Sequence, residues 1–184
     1  MCIRDRRDAL GPLGEKWLAE GRPQVSVRMG LNTGPMVVGN MGSTQRVNYT
    51  IMGDAVNLAS RLEGANKAFK SDLMISEATY LQCADEIDVR ELDVIRVVGK
   101  DEPIRVYQLL NRKDQTTGAL ADMVDAYHRG LEAMRNTEFE SAAALFDQCL
   151  SLMPDDGPSG IQKARALSMR EADWDGVFTL TEKG

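Results

Sequence analysis

Between Arg46 and Met52 apolar and polar residues alternate, with Val47, Tyr49 and Ile51 on one face and Asn48 and Thr50 on the other. That is the period of a half-buried strand. Gly53-Asp54 breaks the alternation and puts a carboxylate where it can cap the free N–H groups of a helix. From Ala55 the spacing turns helical, and Asn57 and Arg61 fall four residues apart on one face. The stretch 46–67, RVNYTIMGDAVNLASRLEGANK, therefore aims a hydroxyl, an amide and a guanidinium into one cleft beside a helix N-terminus, which favours anions. Such a set suits a nucleotide: Thr50 for a base edge, Asn57 for a sugar or ring oxygen, Arg61 for phosphate. Pattern alone equally allows a capped amphipathic helix whose Asn and Arg are solvated.

The same reading extends along the chain. Residues 7–20 form a helix with Leu10, Leu13, Trp17 and Leu18 as its apolar side, its first turn weakened by Gly11 and Pro12. Residues 24–32 alternate as a strand, the cluster Asn32-Thr33-Gly34-Pro35 turns the chain, and Met36-Val37-Val38 starts another strand. A loop is expected from Gly39 to Thr44. Gly34 and Gly39 have P-loop spacing, but Asn40 stands where that motif needs Lys, so these glycines serve turns and close strand packing. Residues 73–76 read as a short strand, Glu77 to Cys83 as a helix, and Leu92–Val98 and Ile104–Leu110 as two strands joined by a turn at Gly99, Lys100 and Asp101. Strands and helices mixed with antiparallel hairpins make an α+β pattern.

From about Leu120 the period is helical throughout. Tyr127, Leu131 and Met134 mark one helix, Ala142, Leu145, Phe146 and Cys149 a second, and residues 159–170 a third. Gly130, Ala142, Phe146 and Pro154 sit at the offsets of a single tetratricopeptide-like hairpin, which cannot bury its apolar face alone and must pack on the first segment or on a partner. Residues 171–184 read as an irregular tail with Trp174 and Phe178 as anchors. The expected organisation is thus an α+β unit over 1–112, a helical hairpin over 119–170, and that tail.

Charge sharpens the division. The net charge is −6; residues 1–118 are neutral, with 16 basic and 16 acidic groups, and the whole excess lies in 119–184. No basic footprint for nucleic acid is present. No run of eighteen apolar residues spans a membrane, and the opening MCIRDRRDAL lacks a signal peptide's apolar core. Cys2, Cys83 and Cys149 are odd in number and widely spaced, which fits reduced thiols in a cytoplasmic setting better than disulfides or zinc. His128, the only histidine, reads as an ordinary surface residue.

The run N-Y-T-I-M-G-D-A-V-N-L-A-S-R-L-E resembles the core signature of class III nucleotidyl cyclases, supported by RMGLNTG, by ISE at 75–77 and by VVGKDEPIRVYQLL. The resemblance spans about Val25 to Leu110 and implies the C-terminal part of a ferredoxin-like catalytic domain that pairs head to tail as a homodimer. It also implies an active site at the subunit interface, where a ribose 3′-hydroxyl attacks the α-phosphorus of a nucleoside triphosphate. Thr50 matches the purine-reading position and favours ATP over GTP; Asn57 matches the ribose-orienting residue; Arg61 matches the arginine that stabilises charge on the α-phosphate. The family's triphosphate lysine is replaced by Val98, and Lys100 is the available stand-in. The family's Mg²⁺ or Mn²⁺ is held by aspartates on strands N-terminal to the matching residues, so no metal ligand is assigned here, and the chain as given is expected to be inactive. The helical tail resembles the C-terminal extension of many bacterial cyclases.

Three readings compete. One is part of an adenylate cyclase in a cytoplasmic signalling protein or in the cytoplasmic portion of a membrane-anchored parent. Another is a degenerate cyclase-like module that dimerises and regulates, its helical tail recruiting a partner. A helical-repeat scaffold alone leaves 46–67 unexplained. The N-terminus reads as truncated, which predicts an open sheet edge, an exposed apolar face and self-association.

Overall fold

The computed structural model describes residues 3–23, 25–43, 46–99 and 101–180. Helix α1 (Ile3–Ala19) starts earlier than the pattern suggested and carries Pro12 inside it. Its apolar side packs weakly, with Leu18 65% exposed. The expected strand over 24–32 shortens to β1 (Met29–Leu31), because only those residues find a partner, pairing in parallel with β4 (Leu73–Ser76). Gln24 lies outside the described residues.

The order β1-β4-β6-β5-β7 makes one mixed sheet, with β6 (Ile104–Arg112) antiparallel to both β4 and β5 (Ile87–Arg96). Helix α2 (Asp54–Phe69) lies on it. Leu58, Leu62, Ala65 and Phe69 recur at helical spacing and pack against Met74, Leu92, Ile95, Val97 and Val106. The short helix α3 (Glu77–Cys83) is capped by Ser76, whose Oγ accepts the Thr79 N–H at 3.2 Å. The α+β class read from the sequence holds.

Two local expectations are corrected. Residues 39–43 are not a loop: β2 (Val37–Ser43) and β3 (Arg46–Met52) form a full seven-residue antiparallel hairpin. Nor is β3 half-buried. The hairpin is a separate two-stranded sheet, and no described element covers either face, leaving Val37 65% and Tyr49 75% exposed.

Helices α4 (Ala119–Arg135), α5 (Phe139–Leu152) and α6 (Gly157–Ser168) share a second core of Met123, Tyr127, Leu131, Met134, Ala142, Phe146 and Cys149. Gly130 lets α4 and α5 approach closely: a Cβ there would meet the Phe146 ring at 2.7 Å. Within the tail expected to be irregular, residues 171–180 carry regular structure, and 181–184 lie outside the described residues. A 3-10 turn at Glu171–Asp173 leads to β7 (Phe178–Thr179), which adds to β5 in parallel. Trp174 packs on the helical core and Phe178 on the α2 core.

His128 does more than decorate the surface. Its Nε2 accepts the Glu91 N–H of β5 at 3.0 Å, which requires the neutral ring. Burial of the ring's inner edge, opposed by Glu91 and aided by Arg90, holds the imidazole below its ordinary range. A histidine depressed in the folded state contributes stability at high pH that is lost as pH falls through the unfolded value of about 6.5. The urea midpoint is therefore expected to fall further between pH 7.5 and 5.5 in the wild type than in His128→Gln. Equal falls would remove His128 from the pH response.

Candidate nucleotide site

Gly53 occupies the N-cap of α2, with φ 154° and no room for a side chain: a Cβ would lie 3.2 Å from the Pro35 carbonyl oxygen. Asp54, expected to cap, is instead the first helical residue, where its charge faces the positive end of the helix dipole. The segment around β1 fixes the helix in place. The Asn32 amide donates to the Ala55 carbonyl at 3.0 Å, and Ser76 Oγ donates to Asn32 Oδ1 at 2.6 Å. Further along, Asn66, fully buried, donates to the Met29 carbonyl at 2.9 Å and accepts from Ser71 Oγ at 2.8 Å. Lys70 ends the helix in the left-handed conformation, φ 51°. These polar anchors were not picked out from the sequence. Their spacing in N-T-G and A-N-K carries no period, and their role depends on which strand meets the helix.

Of the four residues singled out, Asn57 and Arg61 stand one turn apart on α2, Asn57 exposed and Arg61 half-buried. Thr50 is exposed on β3, opposite Gly39, four residues before the helix begins. Lys100 lies outside the described residues. The structure adds one juxtaposition: the Arg61 guanidinium lies against the turn that follows β5. A Cβ on Gly99, whose φ is +78°, would sit 3.3 Å from Arg61 Nη2. Arg61 Nη1 is buried and has no hydrogen-bond partner among the described residues. A buried donor without a partner is costly, and a guanidinium held this way has a strong demand for an anion with two or more oxygens.

Among the described residues no three His, Cys, Asp or Glu side chains converge as a metal site. Thr50, Asn57 and Arg61 offer a hydroxyl, an amide and a guanidinium but no carboxylate, the donor a hard divalent ion favours.

A mixed sheet with helix α2 laid across it and an exposed hairpin leading into that helix makes an α+β domain that carries Thr50 on the hairpin and Asn57 and Arg61 on the helix. A family model for the adenylate and guanylate cyclase catalytic domain matches residues 13–111, and the chain belongs to that family. It is 31% identical over 147 residues to the terminal-differentiation-specific adenylate cyclase of Dictyostelium discoideum, covering 78% of this chain and 7% of that protein. A match of that extent runs past residue 111 into the helical segment. Adenylate cyclase 1 of Rhizobium meliloti is 39% identical over 92 residues, covering 50% of this chain and 14% of that protein. Among solved structures, the adenylyl cyclase CyaB from P. aeruginosa superposes with a TM-score of 0.52 at 38% identity, covering 61% of this chain and 56% of that one. The guanylyl cyclase Cya2 shares the fold, with a TM-score of 0.50 at 24% identity over 63% of this chain and 58% of that one. The chain thus spans only a small part of the curated relatives it matches.

Proposed function

We propose that this chain supplies one wall of a site, shared between two subunits, that converts ATP to 3′,5′-cyclic AMP and pyrophosphate. Thr50 reads the purine, Asn57 orients the ribose, and Arg61 stabilises the charge that builds on the α-phosphate as the 3′-hydroxyl attacks. Lys100 serves as a secondary charge for the polyphosphate. The observation that carries this reading is the buried Nη1 of Arg61, without a hydrogen-bond partner among the described residues, beside the Gly99 turn. Preorganised donors of this kind act on charge that develops in the transition state. A divalent ion such as Mg²⁺ or Mn²⁺ would supply hydroxyl activation and charge neutralisation, held by groups other than Thr50, Asn57 and Arg61. The resemblance puts that ion's aspartates on strands outside the residues matched here, and on that ground we infer that the 184-residue polypeptide does not turn over alone.

The test is complementation. Purified chain with ATP and Mn²⁺ is expected to give no cyclic AMP. Adding a complete catalytic domain of this family, with alanine at its own position matching Arg61, is expected to restore production. Failure to restore it, together with no binding of an ATP analogue to either mixture, would remove the reading. In the restored assembly Thr50→Cys shifts the preference from ATP toward GTP; an unchanged ATP-to-GTP ratio would take Thr50 out of the purine site.

The surface that brings two subunits together is, in this reading, the β2–β3 hairpin, whose Val37, Val38, Val47, Tyr49 and Ile51 are exposed. An apolar patch of that kind marks an interface. Sedimentation is expected to show self-association that Tyr49→Lys weakens; a wild-type monomer at high concentration would count against the homodimer. Helices α4 and α5 are read as a tetratricopeptide-type pair, supported by the close approach at Gly130. A cytoplasmic location agrees with the free thiols of Cys83 and Cys149, and no helix among the described residues is long and apolar enough to cross a membrane.

The second reading, a degenerate regulatory module, draws on Val98, a half-buried apolar residue where the family pattern has lysine. It predicts dimerisation without restored chemistry in the same complementation assay.

A further inference from the structure

Strand β5 carries two charged residues that face the helical segment and not water. Arg90 is 1% exposed at its side chain, and Asp156 at the N-cap of α6 accepts both of its terminal nitrogens, at 2.7 and 2.9 Å. Gln108 of β6 and Met123 Sδ take its remaining donors, and Tyr127 lies 4.7 Å beneath it. Asp93 is 6% exposed and accepts from Arg165 of α6 and, at 2.8 Å, from Gln162. Arg165 in turn donates to the Val177 carbonyl at 2.8 Å and is sandwiched by Trp174 and Phe178, each 4.8 Å away.

The strand is shaped for this contact. Residues 90 and 93 would point to opposite faces of a regular strand. A bulge between Glu91 and Asp93 lets both engage the helices while Leu92 and Ile95 join the core on α2. The bulge also drops Leu92 from the pairing with β6, and its carbonyl accepts from Tyr127 Oη of α4 at 3.1 Å and Gln162 Nε2 of α6 at 3.1 Å. α4 and α6 both bury the guanidinium, the carboxylate and the Leu92 carbonyl and supply their partners, so breaking one of these contacts while the cover stays is strongly unfavourable.

The contact continues to the nucleotide site. β7 pairs with Ile95 and Arg96, just before the turn. The Arg96 guanidinium spans the turn to the Asp101 carbonyl at 3.3 Å and reaches the tail at Asp175, 3.3 Å, and Thr179 Oγ1, 2.9 Å. Gly99 between them abuts Arg61.

We infer that helices α4–α6 and strand β7 act as a clamp that sets the β5–β6 turn against Arg61, with Arg90, Asp93, Arg96, Asp156 and Arg165 as positioning residues. This rests on the reading of Arg61 as a phosphate-binding group. The clamp makes the helical segment part of the nucleotide site and not an independent appendage.

Two variants of the full chain test it. Asp175→Ala with Thr179→Ala releases only the exposed end at Arg96. Amide hydrogen exchange at residues 97–99 is expected to quicken about tenfold or more with the α2 and α4–α5 cores unchanged. The Arg61 Nε–H resonance should shift, and kcat of the complemented assembly should fall several-fold with KM for ATP little changed. Asp156→Asn loosens the buried end and is expected to lower the melting temperature by about 10 °C; Arg165→Lys, which keeps the charge, gives a milder form of the same response. If the tail exchanges faster while the turn and the Arg61 resonance stay as in the wild type, the clamp is overturned. If the turn responds but the wild type binds no nucleotide, the clamp stands and the nucleotide reading fails.

Discussion

Arg61→Ala is expected to lower cyclic AMP production in the complemented assembly by about 10²–10³-fold, the usual loss when one preorganised transition-state donor is removed. The loss should fall on kcat, with KM for ATP changing little, because charge on the α-phosphate oxygens grows only as the 3′-hydroxyl attacks. Folding should survive the change. The side chain is half-buried, and its Nη1 has no partner among the described residues, so truncation orphans no group there. A wild-type denaturation midpoint with a collapsed kcat separates chemistry from stability. Arg61→Lys keeps the charge but loses the planar fork, and an intermediate rate is expected. Steady-state kinetics decide it: a rate within threefold of wild type for the alanine variant would place the catalytic charge elsewhere.

The wall that holds Arg61 was readable because its pattern is local. Period-two residues before Gly53 and helical spacing after it locate β3 and α2, and Leu58, Leu62, Ala65 and Phe69 mark the buried stripe. The first two helices of the second segment are legible in the same way, through Tyr127 and Leu131 on α4 and Phe146 and Cys149 on α5. What the pattern concealed depends on partners distant in sequence. The strand expected at Leu92–Val98 starts five residues earlier, at Ile87, and Arg90 and Asp93 interrupt its apolar pattern; those charges are nonetheless buried and are neutralised by residues 66 and 72 positions later. The hairpin misled in the other direction. Its alternation signals burial, but no described element covers it, so the apolar face is presented outward. Alternation reports that a face is apolar; it does not say whether the cover comes from the same chain.

Gly30→Ala is expected to destabilise the α+β unit strongly by driving helix α2 off strand β1. A Cβ at Gly30 would lie 2.3 Å from both the Ala59 carbonyl oxygen and the Glu63 amide nitrogen, backbone atoms of α2 that no rotamer change can move aside. Ordinary contacts begin near 3.4 Å, so α2 and β1 must separate by at least about 1 Å. The helix is held on that side by the Asn66 bond to the Met29 carbonyl and by Asn32 on Ala55. Separation therefore strains both anchors, and the cost should reach the upper end of the overpacking range, about 3 kcal/mol. Arg61 follows Ala59 by two residues, so the same movement shifts its guanidinium away from Gly99, and a misplacement of this size can cost about 10²-fold in rate. Gly11→Ala is the control, because a methyl there meets nothing within 4 Å and sits inside α1, where alanine is the better helix former. Urea denaturation is expected to show a clear loss of midpoint for Gly30→Ala and none for Gly11→Ala. Equal midpoints in the two variants would mean that β1 does not press on α2, and the positioning of Arg61 would then need a different support.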